Sequence, residues 1–417
     1  MALAPLDAAL SPDDLALMRR LGDAATDEGI ELWLVGGPVR DALLGRAVLD
    51  LDLTSEAPAA ELGPRLAERL GGTCGARSQF GTVKLRMGGR TMDLATTRAE
   101  VYPYPASLPV IVAGAGIADD LARRDFAINA MAASLHPKRF GELLDTEGGV
   151  DDLEAGVVRV LHRASFRDDP TRIFRAARYV SRLGFRMDGA ARRQLRRNLP
   201  HVNALSAARV RREIDRLLTE QDAARAVLMA LRLGVLPAVE AGLASPDVRA
   251  ACRRAGARGL HGLALLGALA YPLPAERADA FRERIGAGKR QAQVMRAVVR
   301  LREAEPRLAS VTRVSRAAAI VGAAPREAVE AASAAAASAA ARRNLTRYLD
   351  ASRRRSPLDG HDLLALGVPP GPAVGAMLTS LRNAVLDGAV RGRAQAERFV
   401  RERLGEEGEV PSPEGEG

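Results

Sequence analysis

At 417 residues, 47% hydrophobic and 27% charged, the chain is long enough for two to four soluble domains at about 100–200 residues each. Lys and Arg outnumber Asp and Glu by 61 to 51, a formal charge of +10, and the excess is nearly all arginine, which either suits a polyanionic partner or reflects a GC-rich genome. Two cysteines, Cys74 and Cys252, exclude a disulfide framework and a zinc cluster, and no run approaches the roughly 18 apolar residues of a membrane span, so a soluble, cytoplasmic protein with no membrane partner is expected.

The N-terminal MALAPLDAALSPDDLALMRR is too acidic and interrupted for a secretory leader. Four short apolar or alternating runs bounded by glycine read as strands: ELWLVGG (31–37), VLDLDLT (48–54), GTVKLRM (81–87) and RTMDLAT (90–96), the last two joined by a hairpin at Gly88 and Gly89. Between them PAAELGPRLAERLGG (58–72) has helical spacing and a glycine stop. From about residue 165 the strand signal ceases, and DDPTRIFRAARYVSRLGF, ALSAARVRREIDRLLTE and AARAVLMALRLGVLPAV carry apolar residues at helical spacing. The alanine-rich EAVEAASAAAASAAARR (327–343) reads as one helix by propensity, and the acidic GEEGEVPSPEGEG at the end reads as disordered.

The densest chemistry lies in LVGGPVRDALLGRAVLDLDLTS (34–55). Side chains two apart on a strand share a face, so Asp50 and Asp52 are expected to project together while Leu49, Leu51 and Leu53 face the core. Paired carboxylates repel unless a cation lies between them, and magnesium, a hard ion that also takes substrate phosphates, is the expected cofactor, held by Asp50 and Asp52. Gly36 and Gly37 follow a strand and open a helical run, so backbone N–H groups can approach a phosphate, with Arg40 nearby. Asp93 is either a third carboxylate of a two-metal site or an ordinary solvent-facing position. The glycine pair is not a dinucleotide fingerprint, because a DxD follows it and no GxGxxG is present.

These residues resemble the signature of the class II nucleotidyltransferases, the tRNA CCA-adding enzymes and bacterial poly(A) polymerases. DLARRDFAINAMA (120–132) is similar to the family's RRDFTINA element, with Ala127 in place of threonine, and LLDTEGGVDDLEAGVVRVL (143–161) to its connection out of the catalytic domain. FRDDPTRIFRAARYVSRLGF (166–185) resembles the nucleotide-selecting helix, with Asp168 where glutamate is common, and LDGHDLLALGVPPGPAVGAMLTSLRNAVLDG (358–388) the tail. The resemblance implies an α/β catalytic head with a polymerase-β-like nucleotidyltransferase fold followed by all-helical neck, body and tail: head 1–145, neck 146–220, body 221–355, tail 356–404, and disordered 405–417. It implies attack of an RNA 3′-hydroxyl on the α-phosphate of CTP or ATP with release of pyrophosphate, catalysed by Asp50, Asp52 and Asp93, with the tRNA 3′ end as partner. By position Arg124, Asp125 and Asn129 would contact ribose and phosphates. His361-Asp362 is an isolated pair, which disfavours a hydrolase appendage.

Nucleotide choice follows from chemistry. Asp169 and Arg172, three apart, are expected to share a helix face and present an acceptor beside a donor. Cytosine and adenine offer an amino donor beside a ring-nitrogen acceptor, whereas uracil and guanine offer a carbonyl beside an N–H, so the pair admits CTP and ATP only. Arg175 and Arg178 continue that face and would support base or phosphates. The basic RRQLRRNLPHVNALSAARVRREIDRLL (192–218) is either an RNA-backbone surface or a solvated helix face. Aromatics at 3% disfavour single-strand stacking platforms. The segment Thr97–Asp120 occupies the family's flexible loop, with Ser107-Leu108-Pro109 in place of its arginine pair before proline, so full CCA addition, CC-only or A-only addition, poly(A) synthesis and a noncatalytic RNA-binding protein all remain open; oligomeric state leaves no signal.

Overall fold

The computed structural model describes residues 4–76, 78, 81–112 and 114–408, the last three as backbone only. The chain packs as two compact units: Met1–Glu213 with Arg232–Ala238, and Ile214–Leu231 with Val239–Gly417. The boundary expected at 220–221 therefore falls inside the second unit, which the chain enters at Ile214.

In the first unit the strands are β1 (Leu32–Val35), β2 (Asp52–Ser55), β3 (Thr73–Cys74), β4 (Thr82–Met87), β5 (Arg90–Thr96), β6 (Ala99–Val101), β7 (Val110–Val112), β8 (Met131–Ser134) and β9 (Leu143–Asp145). Seven of them form one sheet in the order β3-β4-β5-β2-β1-β8-β9, with β6 and β7 a separate hairpin. Only β2 and β5 run parallel among the neighbours of the large sheet. The central β1, Leu-Trp-Leu-Val, is buried at every position, as expected of a strand covered on both faces. The helix Pro12–Thr26, whose Ser11 side chain accepts from Asp14 N at 3.1 Å, packs on β1. The helix Ala59–Leu70 lies against β4, where a Cβ on Gly63 would come within 2.9 Å of Val83 Cγ2, so glycine sets that approach.

Three features depart from the sequence reading. β2 begins only at Asp52, so Asp50 precedes the strand, and Leu49, expected in the core, is 76% exposed while Leu51 and Leu53 are buried. Its carbonyl accepts from Arg90 Nη2 at 2.7 Å, turned out of the strand alternation. Strand structure also reaches beyond residue 165, since Arg186–Met187 pairs in parallel with Val157–Val158, and the short β8 and β9 carry too little alternation to be read from sequence.

The second unit is helical. GLALLGALA (Gly262–Ala270) is apolar on all sides and is enclosed by the helices Pro246–Ala257, Lys289–Glu303 and Arg326–Ala335. The alanine-rich 327–343 stretch is two helices, not one: Arg326–Ala335 and Ala339–Ser352. Ser338 breaks it, capping Ala341 N with its hydroxyl while its own N–H donates to Glu305 Oε1 at 2.6 Å, a pair of local bonds that outcompetes alanine propensity. A third cluster joins Leu358, Leu363, Leu381, Val385 and Val400 around the last helices. The final helix, Arg393–Gly408, extends into the 405–417 stretch expected to be disordered, of which 409–417 lie outside the described residues. Among the described residues no helix is long and apolar enough to cross a membrane.

Candidate functional site

The register of β2 and β5 places Asp52 directly opposite Asp93. Although Asp52 is open to solvent, protein crowding its carboxylate raises its pKa, and the like charges of Asp93 and Asp50 raise it further against the opposing pull of Arg124 and Lys84. Asp93 receives Lys84 Nζ at 2.7 Å. Among the described residues no three His, Cys, Asp or Glu side chains are gathered as a metal cage. Crowded hard oxygen donors whose mutual repulsion is only partly relieved by Lys84 and Arg124 nevertheless suit a divalent ion, and magnesium commonly takes one or two carboxylates and completes its shell with water and phosphate.

Beside these carboxylates the chain leaves β1 through Gly36, whose N–H donates to Met131 O at 3.0 Å and whose φ of 77° lies in the region that glycine adopts freely. A Cβ there would stand 2.6 Å from Arg124 Nη1. The helix Gly37–Leu43 follows, with Pro38 at its start. Arg40 does not present a free guanidinium for phosphate, as its position in the motif suggested. It is 4% exposed, Nε and Nη2 donate to the two carboxylate oxygens of Asp41 at 2.9 Å each, and Nη1 donates to Asn129 Oδ1 at 2.7 Å. Asn129 Nδ2 donates onward to Asp125 Oδ1 at 3.1 Å, and Asp125 Oδ2 accepts from Arg175 Nε at 2.6 Å. Burial alone would raise the Asp125 pKa, but the Arg175 charge and the bonds from Asn129 and Arg175 hold it below the usual carboxylate range. Arg40, Asn129 and Asp125 thus form one buried hydrogen-bonded chain that ends at the half-buried Arg175.

Asp169 and Arg172 are brought near each other but not on one helix face. Asp169 ends the short helix Ser165–Asp168 in extended conformation, and the next helix, Thr171–Leu183, starts beyond Pro170, whose ring disfavours a helical conformation at the residue before it and which has no N–H to donate. Three hydrogen bonds, from Thr171 N, Thr171 Oγ1 and Arg209 Nη2, fall on Asp169 Oδ1. Arg172, 4% exposed, donates through Nη1 to Ser165 Oγ and through Nη2 to Arg123 O, both at 2.7 Å. Arg178 faces Glu213 at 3.8 Å.

Several residues not singled out from sequence complete the site. Asp120 accepts from Arg123 and Arg124, and Arg123 Nη1 donates to Glu100 Oε1 at 3.1 Å. Tyr102 donates its hydroxyl to Glu100 Oε2 at 2.8 Å and feels the charges of Arg172 and Asp169, and its pKa is pushed up by burial and by Glu100. Arg209 spans Asp169 and the carbonyl of Ala106, at 2.7 Å each. Ala106 holds a φ of 63°, a strained value for a residue with a Cβ, pinned by its N–H to Arg167 O. Asp120 and Arg123 lie inside the DLARRD stretch and Arg209 inside the 192–218 basic run, so the signal was present as composition without geometry.

Comparison with known proteins gives the family. Residues 32–159 match the family described as Poly A polymerase head domain, and 184–243 the family described as probable RNA and SrmB- binding site of polymerase A. The CC-adding tRNA nucleotidyltransferase of Deinococcus radiodurans is 32% identical over 410 residues, covering 95% of this chain and 96% of that one. The chain belongs to the tRNA nucleotidyltransferase and poly(A) polymerase family. Within that family the A-adding tRNA nucleotidyltransferase of Halalkalibacterium halodurans is 43% identical over 180 residues, 43% of this chain. The chain spans less than half the length of the A-adding relatives it matches, 42% in that case. In three dimensions the Thermotoga maritima CCA-adding enzyme complexed with tRNA-CCA superposes with a TM-score of 0.78 at 27% identity, over 97% of this chain and 100% of that one.

Proposed function

We propose that the protein is a template-independent nucleotidyltransferase that adds C, A or both from CTP and ATP to the 3′ end of tRNA and releases pyrophosphate, working in the cytoplasm where tRNA and nucleoside triphosphates are pooled. The observation that carries this reading is the register of Asp52 against Asp93 beside the Gly36 turn and Arg124, in a chain similar over nearly its whole length to a tRNA nucleotidyltransferase. Magnesium held by Asp50 and Asp52 would supply Lewis-acid stabilisation of the attacking and leaving oxygens. Arg124, with the backbone at Gly36 and Gly37, would grip the triphosphate, and the hydrogen-bonded chain of Arg40, Asn129, Asp125 and Arg175 would hold the neighbouring backbone in place. Asp169, with three bonds on Oδ1, would turn Oδ2 to the amino group of cytosine or adenine, and Arg172 would reach the ring acceptor only by giving up a bond to Ser165 Oγ or Arg123 O. RNA would lie along the helix Gly189–Asn198, which exposes Arg192, Arg193, Arg196 and Arg197 while burying Ala191 and Leu195.

A partial enzyme is the second reading, favoured by the full-length likeness to a CC-adding relative and by Ser107-Leu108-Pro109 in the loop. Labelled CTP and ATP, given separately and together with magnesium to tRNA transcripts ending before CCA, after C and after CC, separate these cases. Growth to CCA and no further means the full enzyme. CTP alone on the first two transcripts, or ATP alone on the third, means a partial one. Long A runs on any RNA mean a poly(A) polymerase, and no incorporation overturns the reading.

A further inference from the structure

Asp120 has no place in the chemistry above, yet its carboxylate binds two consecutive arginines. It lies on the helix Ile117–Ala122 and is 0% exposed. Oδ1 accepts from Arg123 Nε at 2.9 Å and Arg123 Nη2 at 2.6 Å, while Oδ2 accepts from Arg124 Nη2 at 2.9 Å. One carboxylate therefore gathers two consecutive guanidiniums that would otherwise repel and swing freely on long stems. The two arginines lead in different directions. Arg124 Nη1 stands against the Gly36 turn, and its charge reaches Asp52. Arg123 leads to the other end: its carbonyl accepts from Arg172 Nη2 at 2.7 Å, and its Nη1 reaches Glu100, the acceptor of the Tyr102 hydroxyl.

We propose that Asp120 is a positioning residue on which the triphosphate-side Arg124 and the base-side Arg172 are both registered, so that gripping the phosphates and reading the base act as one unit. This rests on the nucleotidyl-transfer reading above. Asp120 touches neither metal nor nucleotide; it acts through Arg124, and through Arg123 on Arg172. Its loss should weaken CTP and ATP alike, because the shared element is the triphosphate grip, and should leave RNA affinity alone.

The test is a double-mutant cycle in the full chain with Asp120→Asn, Arg124→Ala and the pair, reading KM and kcat for CTP and ATP, magnesium-CTP affinity by calorimetry, tRNA affinity by gel shift, and thermal melting. Asp120→Asn is expected to raise KM for both nucleotides about ten-fold, with tRNA affinity unchanged within about two-fold. The double variant should lose clearly less than the product of the two single losses, because the arm through Arg124 is already gone and only the arm through Arg123 is left to lose, and Asp120→Glu should recover part of the loss. Should Asp120→Asn fail to fold, the same cycle run with Asp120→Glu decides the matter. Independent, multiplying effects of the two substitutions, or a loss of tRNA affinity in step with nucleotide affinity, would overturn the proposal. A wild-type chain that incorporates no nucleotide sinks the function reading instead, and the calorimetric cycle still decides whether Asp120 acts through Arg124.

Discussion

The carboxylates at the β2–β5 register make the sharpest single-residue demand. Asp52→Asn or Asp50→Asn keeps size and shape but removes charge and replaces one acceptor oxygen with a donor where several kcal/mol of transition-state stabilisation would act, so incorporation should fall about a thousand-fold or more. Circular dichroism and tRNA gel shifts should be unchanged; retained activity in both variants would sink the metal assignment. Asp125 makes a different prediction. Its pKa is lowered in the folded chain, so below the ordinary carboxylate range the unfolded chain binds the proton more readily and stability rises with pH. The contribution is complete at neutral pH and is lost as pH falls below about 4. Because Arg175 is partly solvated, Asp125→Asn should cost about 2–3 kcal/mol at pH 7, and urea unfolding at pH 7 and near pH 3 should show the gap closing on acidification. Cys252, buried with its thiol pushed up to about 12, should resist alkylation in the native protein and react only on unfolding. At this scale the sequence was legible where period-two spacing applies, as for Asp52, and illegible where a distant partner decides: nothing near Arg40 announces that Asp41 and Asn129 will occupy it.

Elements decide how these residues meet. Pro170 separates two helices that helical spacing had joined, so Asp169 and Arg172 meet through the bond from Arg172 N–H to Asp169 O rather than on a shared face, with Arg209 holding the Asp169 carboxylate. The loop segment around Ala106 depends on the same arginine. Arg209→Ala removes the bond to Ala106 O, worth about 1 kcal/mol, and amide exchange at Ala106 and Ser107 should quicken roughly five- to ten-fold, while unchanged exchange would show that the loop is held otherwise. In the second unit Ser338→Ala deletes the cap that divides the alanine-rich stretch and should lower unfolding stability by about 1 kcal/mol. Propensity could not reveal that break, because the competing acceptor, Glu305, lies 33 residues upstream.

At the scale of the whole molecule, the α/β start and helical remainder follow from hydrophobic period alone, and the ordering of strands around β1 does not, since β8 and β9 are too short to signal themselves. Four exposed arginines on the helix Gly189–Asn198 lead us to expect tRNA affinity that falls linearly on a log–log plot against salt. Reversing Arg196 and Arg197 to Glu should flatten that slope without changing nucleotide KM. The most direct measurement is pyrophosphate release on mixing the protein with magnesium, CTP, ATP and a tRNA transcript lacking its terminal nucleotides, wild type beside Asp52→Asn. Stoichiometric release by the wild type, absent without tRNA and lost in the variant, is the expected result; release that persists in Asp52→Asn, or none from the wild type, would contradict the assignment of this head to nucleotidyl transfer.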